Sequence, residues 1–269
     1  MRLRFLGTGT SFGVPVIGCP CDVCISSDPR DRRTRHAALI ESDDGARRVL
    51  IDTPPELRLQ LLDAGVDHID AVWFTHDHAD HTHGIDDLRV FSVRMNQRVP
   101  AFADPITVRS LRRKFAYIFD PAYQPPRGTT KPEIELCEFD PGGEADVAGF
   151  ALRPLEVPHG DMTVYGFRTG GLGYITDAKL LPPAARQALT GVRVLVLNAL
   201  WFGNPHPTHF NVEEAVAVAR EIGAERTFLT HLTHRLLHAS LAAALPPDIQ
   251  PAYDGLNVDI PEQEPGELP

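Results

Sequence analysis

Runs of aliphatic and β-branched residues recur along the chain, each closed by a polar residue or a glycine. They predict strands over residues 3–6, 37–41, 47–51, 71–74, 150–157, 174–176, 192–197 and 227–230. The run at 47–51 stops at Asp52, and the run at 71–74 stops at Thr75 and His76. The next three stop at His159 (after Pro158), Asp177 and Asn198, and the run at 227–230 stops at His231. Asp43-Asp44-Gly45, between the second and third runs, is a hairpin turn.

Helical patterns lie between the strands. One covers 56–64 after two prolines and stops at Gly65. A second carries Val108, Leu111 and Phe115 at spacings of three and four after Asp104-Pro105. Asn211-Val212-Glu213-Glu214 reads as a capping box opening a helix that closes at Gly223. This alternation predicts a layered α/β domain. With no internal repeat and no long linker, one domain is expected over 1–260, followed by a flexible, acidic, proline-rich tail over 261–269.

Composition narrows the class. At 269 residues, with 43% hydrophobic and 23% charged side chains, the chain can bury a sizeable core. A formal charge of −10 opposes nonspecific binding to nucleic acid or to an anionic membrane. No stretch reaches 18 uninterrupted apolar residues, and the apolar run near Met1 is too short for the core of a signal peptide. Three of the four cysteines fall within residues 19–24, unlike the spread of a secreted disulfide framework. A cytoplasmic protein with no membrane partner is expected.

The chain holds 12 histidines, and their placement at strand ends matters more than their number. In His76-Asp77-His78-Ala79-Asp80-His81, residues two apart leave an extended backbone on one side, so His76 and His78 can close on one cation. Asp80 and His81, around the turn into the next helix, would face a second. Three imidazoles and a carboxylate in six residues are costly to hold together without a metal. His159, Asp177 and His231 each follow a predicted strand and would supply the remaining ligands, with Asp177 giving one oxygen to each cation.

These residues resemble the metallo-β-lactamase fold superfamily from Gly7 to about Gly255. That resemblance implies an αββα sandwich, two mixed β-sheets flanked by helices, with two divalent cations, manganese or zinc, at the sheet edge. It implies that His76, His78, His159 and Asp177 hold one cation, and that Asp80, His81, Asp177 and His231 hold the other. Asp52 falls on the family's aspartate that orients the ligands from behind.

Cys19, Cys21 and Cys24 form C-x-C-x2-C, one ligand short of a tetrahedral zinc site, and His234 is the candidate fourth. A site with four protein ligands has no open position and is structural. Together with Leu229-Thr230-His231-Leu232-Thr233-His234, this motif resembles the phosphodiesterase branch that cleaves phosphoribosyl 1,2-cyclic phosphate. In that branch a histidine before a helix donates a proton, a role that would fall to His209, with His206 as the fallback. The expected function is therefore hydrolysis of a small cyclic phosphate or nucleotide phosphodiester by a dinuclear metal site. Homodimerisation is compatible with this reading. The Arg30 to Arg35 tract reads as a solvated loop that could reach a second phosphate.

A transfer-RNA processing nuclease carries a similar metal set but needs an arm to grip its substrate. Only 17 residues separate His159 from Asp177, which leaves no room for one there. The competing classes are an acyl hydrolase of the thioesterase or lactamase type, and a non-catalytic metal-binding partner protein.

Overall fold

Every apolar run in the sequence contributes to a strand in the computed structural model, which describes residues 1–261; boundaries shift by one to two residues at most ends. The strands are β1 (Arg2–Gly7), β2 (Ala37–Glu41), β3 (Arg48–Ile51), β4 (Ala71–Trp73), β5 (Val99–Ala103), β6 (Ile134–Glu138) and β7 (Ala145–Val147). The chain continues through β8 (Phe150–His159), β9 (Met162–Thr169), β10 (Leu172–Tyr174), β11 (Val194–Asn198), β12 (Arg226–Thr230), β13 (Ile249–Pro251) and β14 (Asn257–Asp259). They build two mixed sheets of seven strands, ordered β14-β1-β2-β3-β4-β5-β6 and β13-β12-β11-β10-β9-β8-β7.

Alternation along the strands separates the sequence into layers. In β3, Val49 and Ile51 point between the sheets while Leu50 points out toward the helices. In β11, Val194 and Val196 point in while Leu195 and Leu197 point out. Both faces of these strands are therefore buried, which is why they read as unbroken apolar runs. Trp73 fills the middle layer, stacked on Phe139 with ring centroids 4.3 Å apart. Helices cover both outer faces, giving the expected αββα sandwich.

The helices start where their caps predict. The Asp104 carboxylate accepts from the Ile106 amide at 2.8 Å and opens Pro105–Lys114. Asn211 and Glu214 form a reciprocal capping box for Val212–Ile222, which ends at Gly223 with φ 73°. The helix expected over 56–64 is Leu57–Asp63.

Strands β5, β6, β7, β9, β13 and β14 were not legible as apolar runs. Three of them are only three residues long, β5 contains Pro100, and β9 contains Gly166. At Gly166 a Cβ would come within 2.4 Å of the Tyr174 carbonyl oxygen, so close packing against β10 requires glycine. All but Pro261 of the tail expected over 261–269 lies outside the described residues.

Strand direction positions the site. β3 to β6 run parallel, as do β10 to β13. β8 and β10 are both antiparallel to β9 and so point the same way. The residues just past the C-terminal ends of β3, β4, β8, β10, β11 and β12 thus collect at sheet edges, where α/β folds place their ligands.

Candidate metal centre

Three of the residues that follow these strand ends carry an unusual backbone. Asp52, Asp177 and His231 have φ of 61°, 54° and 57°, the left-handed region that favours glycine. Each such residue costs roughly 1–3 kcal/mol and persists only where its surroundings fix it. Here they do. The Asp52 amide donates to the Trp73 carbonyl at 2.9 Å, and the Leu232 amide, just past His231, donates to the Thr8 carbonyl at 2.8 Å. Past Asp177, the buried Asn198 side chain clamps Ala178: its Oδ1 accepts from the Ala178 amide at 2.7 Å, and its Nδ2 donates to the Ala178 carbonyl at 3.1 Å.

Hydrogen bonds at Nδ1 set the tautomers of the buried imidazoles. Asp52 is fully buried; its Oδ2 accepts from His81 Nδ1 at 2.7 Å and from the Thr75 hydroxyl at 2.8 Å, while its Oδ1 accepts from the Thr75 amide at 2.8 Å. Because the Thr75 hydroxyl donates to Asp52, its oxygen is left to accept from His76 Nδ1 at 3.0 Å. His159 Nδ1 donates to the Thr208 carbonyl at 3.2 Å. In all three rings these bonds place a proton on Nδ1 and leave Nε2 as the atom that faces the centre.

Those atoms converge. Donor atoms of His76, His78 and His159 lie within 4.8 Å of one another, as do those of His76, His81 and Asp177, those of Asp80, His81 and His231, and those of His159, Asp177 and His209. Asp177 stands at the centre. Its Oδ2 is 2.9 Å from His81 Nε2 and 3.4 Å from His76 Nε2, and its Oδ1 is 3.0 Å from His231 Nε2 and 3.5 Å from His209 Nε2. Neighbouring donors bound at about 2.1 Å to one ion, at right angles, would stand about 3.0 Å apart.

The donor set fits divalent cations on an independent ground. Nε2 of His76, His81 and His231 is buried without a hydrogen-bond partner, a costly state for a polar atom that nothing else coordinates. Burial opposes a charge on Asp177, yet the adjacent His231 and His81 hold its carboxyl well below the ordinary range. Burial pushes the His76 imidazole well below its ordinary value, so it is neutral and able to bind a metal.

A second cluster lies nearby. His234 Nδ1 is 3.3, 3.5 and 3.7 Å from the sulfurs of Cys19, Cys21 and Cys24. A tetrahedral zinc with bonds of about 2.3 Å to sulfur and 2.0–2.1 Å to nitrogen requires about 3.6 Å for that edge. Arg33 braces this cluster. It is fully buried and donates to the carbonyls of Thr233 at 2.9 Å and Leu236 at 2.7 Å, and it pairs with Asp31.

The structure therefore gathers His76, His78, Asp80, His81, His159, Asp177 and His231 in one place, and Cys19, Cys21, Cys24 and His234 in another. Asp52 does not face the open side; it acts through His81 and Thr75 and is a positioning residue. His209 lies among the same donors, its Nε2 3.5 Å from Asp177 Oδ1. The Arg30 to Arg35 tract is only in part the solvated loop expected: Arg30 and Arg32 are exposed, whereas Arg33 is buried and Arg35 pairs with Glu56; Arg30 pairs with Asp28. Cys137, apart from both clusters, is partly exposed.

Sequence reasoning assigned nothing to His36, which is fully buried behind the centre. Its Nε2 lies 2.6 Å from the Tyr174 hydroxyl, its Nδ1 lies 3.1 Å from the Thr230 hydroxyl, and its ring centroid is 5.8 Å from that of His81. One signal was available. His36 directly precedes β2, and β2 is antiparallel to β3, so it lies at the same edge as Asp52.

A family profile described as a beta-lactamase superfamily domain matches residues 47–232. The chain is 38% identical over 264 residues to a Porphyromonas gingivalis protein named octanoyltransferase; the match covers 98% of this chain and 52% of that one, so the chain spans about half the length of that relative. Among solved structures it is similar to a diphosphatase from the PhnP family, with 38% identity, a TM-score of 0.88, and coverage of 97% of this chain and 98% of that one. It is also similar in fold to zinc-bound PqqB from Methylobacterium extorquens, with 19% identity, a TM-score of 0.77, and coverage of 97% and 100%. No helix among the described residues is long and apolar enough to cross a membrane.

Proposed function

The chain belongs to the metallo-β-lactamase superfamily of metal-dependent hydrolases, and from that premise we propose that it cleaves small phosphodiesters, cyclic phosphates or nucleotide diesters, at a dinuclear centre. Two divalent cations, when bound, would supply a water acidic enough to ionise at neutral pH and positive charge for the nonbridging oxygens of the phosphodiester. His76, His78 and His159 would hold one, and Asp80, His81 and His231 the other, with one oxygen of Asp177 for each.

The observation that carries this reading is His209. Both ligand sets are full without it, yet its Nε2 lies 3.5 Å from Asp177 Oδ1 and its Nδ1 lies 2.9 Å from the Thr208 hydroxyl. That leaves Nε2–H to protonate the oxygen leaving phosphorus, a contribution of roughly 10²- to 10⁴-fold. A small substrate is favoured because the residues between His159 and Asp177 are spent on β9 and β10, with no segment left to form an arm for transfer RNA. A cytoplasmic location completes the reading.

The test is turnover of bis(p-nitrophenyl) phosphate by protein loaded with manganese or zinc, beside a lactam and an octanoyl thioester. Faster cleavage of either acyl substrate would make the chain an acyl hydrolase, in line with the name of its longer relative. Loss of all turnover with both cations bound would make it a non-catalytic metal protein.

A further inference from the structure

His36 directly precedes β2 in the first sheet, and its side chain, like that of Ala38 two residues on, points between the sheets. Both hydrogen-bond partners of its ring lie at strand ends in the second sheet. Nε2 is 2.6 Å from the hydroxyl of Tyr174, the last residue of β10, and Nδ1 is 3.1 Å from that of Thr230, the last residue of β12. All three side chains are fully buried. Burial pushes the imidazole well below its ordinary value and so keeps it neutral, with one nitrogen to donate and the other to accept. Stacking on Phe167, with centroids 5.1 Å apart, holds the Tyr174 ring in place.

The ring contacts are as selective as the hydrogen bonds. The centroids of His36, His81 and His231 form a triangle with sides of 5.8, 6.0 and 6.1 Å. His81 comes from the first sheet's side, aimed by Asp52, and His231 from the second, directly after Thr230. Both belong to the ligand set that Asp80 completes. The rings of His76, His78 and His159 instead meet one another, at 4.6, 5.2 and 5.7 Å. Among the described residues, the His36 ring meets only those of His81, Tyr174 and His231.

A phenylalanine would fill this space at lower cost, because a buried imidazole must have both nitrogens satisfied. What a hydrocarbon ring lacks is the pair of bonds that ties the first sheet to the ends of β10 and β12. A shift of either strand end moves His231 relative to His81, and metal–ligand distances tolerate only about 0.2 Å. We infer that His36 is a positioning residue that spaces His81 and His231, and so sets the affinity for the cation held with Asp80 while leaving the other cation alone. The inference rests on the two-cation reading of the centre, and it gives His36 no contact with metal or substrate.

Manganese binding by the intact protein tests this, read by calorimetry, by electron paramagnetic resonance of the bound ions and by anomalous scattering from crystals. The wild type is expected to take up two ions and to show the signal of an exchange-coupled pair. His36→Phe, which keeps a ring but neither bond, should bind one ion within twofold of wild type and the other at least about tenfold more weakly. Its partly loaded form should give the signal of an isolated ion, and the emptied position should be that of Asp80, His81 and His231. Tyr174→Phe combined with Thr230→Val cuts the same two bonds with His36 in place and should give the same selective loss, even if His36→Phe does not fold. His36→Gln, which still reaches one hydroxyl, should recover part of the affinity. The inference is overturned if both ions weaken equally, if the His76, His78 and His159 position empties instead, or if stability falls with both affinities unchanged, the behaviour of a core residue alone. If the wild type binds a single ion, the two-cation reading falls; the role of His36 then stands only if His36→Phe weakens that ion at least tenfold.

Discussion

Replacing Asp52 by asparagine exchanges one oxygen for an NH2 group and should reverse two hydrogen-bond chains at once. In the native arrangement Asp52 Oδ2 accepts from His81 Nδ1 and from the Thr75 hydroxyl, whose oxygen in turn accepts from His76 Nδ1. With Oδ1 still held by the Thr75 amide, the new NH2 group donates where Oδ2 accepted. His81 must then accept at Nδ1, and the Thr75 hydroxyl turns to donate to His76. Both rings carry their proton on Nε2, the atom that faces Asp177. Loss of an orienting partner behind a ligand imidazole typically costs 10- to 100-fold in metal affinity. Since His76 and His81 serve different cations, each cation should bind roughly 10- to 100-fold more weakly, about 1.4–2.8 kcal/mol at 1.4 kcal/mol per tenfold. The metal-free protein should change little, because shape and hydrogen-bond count are kept, and its Tm should stay within about 4 °C of wild type. Competition calorimetry with manganese or zinc reads the affinities and scanning calorimetry reads the stability. If Asp52→Asn binds both ions within twofold of wild type, proton placement by Asp52 is not what prepares these ligands.

Asp177→Ala removes the only carboxylate among the described residues that faces both ligand sets and should abolish turnover with loss of metal, read by elemental analysis after gel filtration. His209→Ala is expected to keep both cations and to slow substrates with alkoxide leaving groups roughly 10²- to 10⁴-fold while sparing p-nitrophenyl esters. Equal slowing of both would remove the proton-donor role, and loss of one cation would make His209 a ligand. Cys21→Ser should release the thiol-bound zinc and lower Tm, with specific activity of the remaining folded protein preserved; an unchanged Tm would argue against a structural ion there.

The parts of the site legible in the sequence lie at strand ends, where an apolar run gives way to a functional side chain. His76, His159, Asp177 and His231 were readable for this reason, and the Cys19 to Cys24 motif was readable from ligand spacing alone. Arg33 and His36 were not. Their partners, Thr233 and Leu236 for Arg33 and Tyr174 and Thr230 for His36, lie more than a hundred residues away, and no local period announces such contacts. The short edge strands β7, β13 and β14 were missed because three residues are too few to establish an alternation.

The strained residues tie fold to chemistry. Asp52 and His231, directly past β3 and β12, and Asp177, three residues past β10, each adopt a left-handed backbone, where glycine would be easier to accommodate. Glycine, however, has no side chain to offer the centre. The cost is offset by contacts from elsewhere in the chain: Thr8 beyond His231, Trp73 at Asp52, and Asn198 beyond Asp177. Among these, Asn198 alone holds the turn by its side chain, and a carboxylic acid there could not both donate to the Ala178 carbonyl and accept from its amide once ionised. Asn198→Asp should therefore release the turn that aims Asp177, lowering metal affinity at both sites together, whereas a change confined to one set of imidazoles would weaken only one. Paired loss on titrating either metal is the signature of the clamp. Loss at one site alone would mean that Asp177 is held by its imidazole neighbours and not by the backbone beneath it.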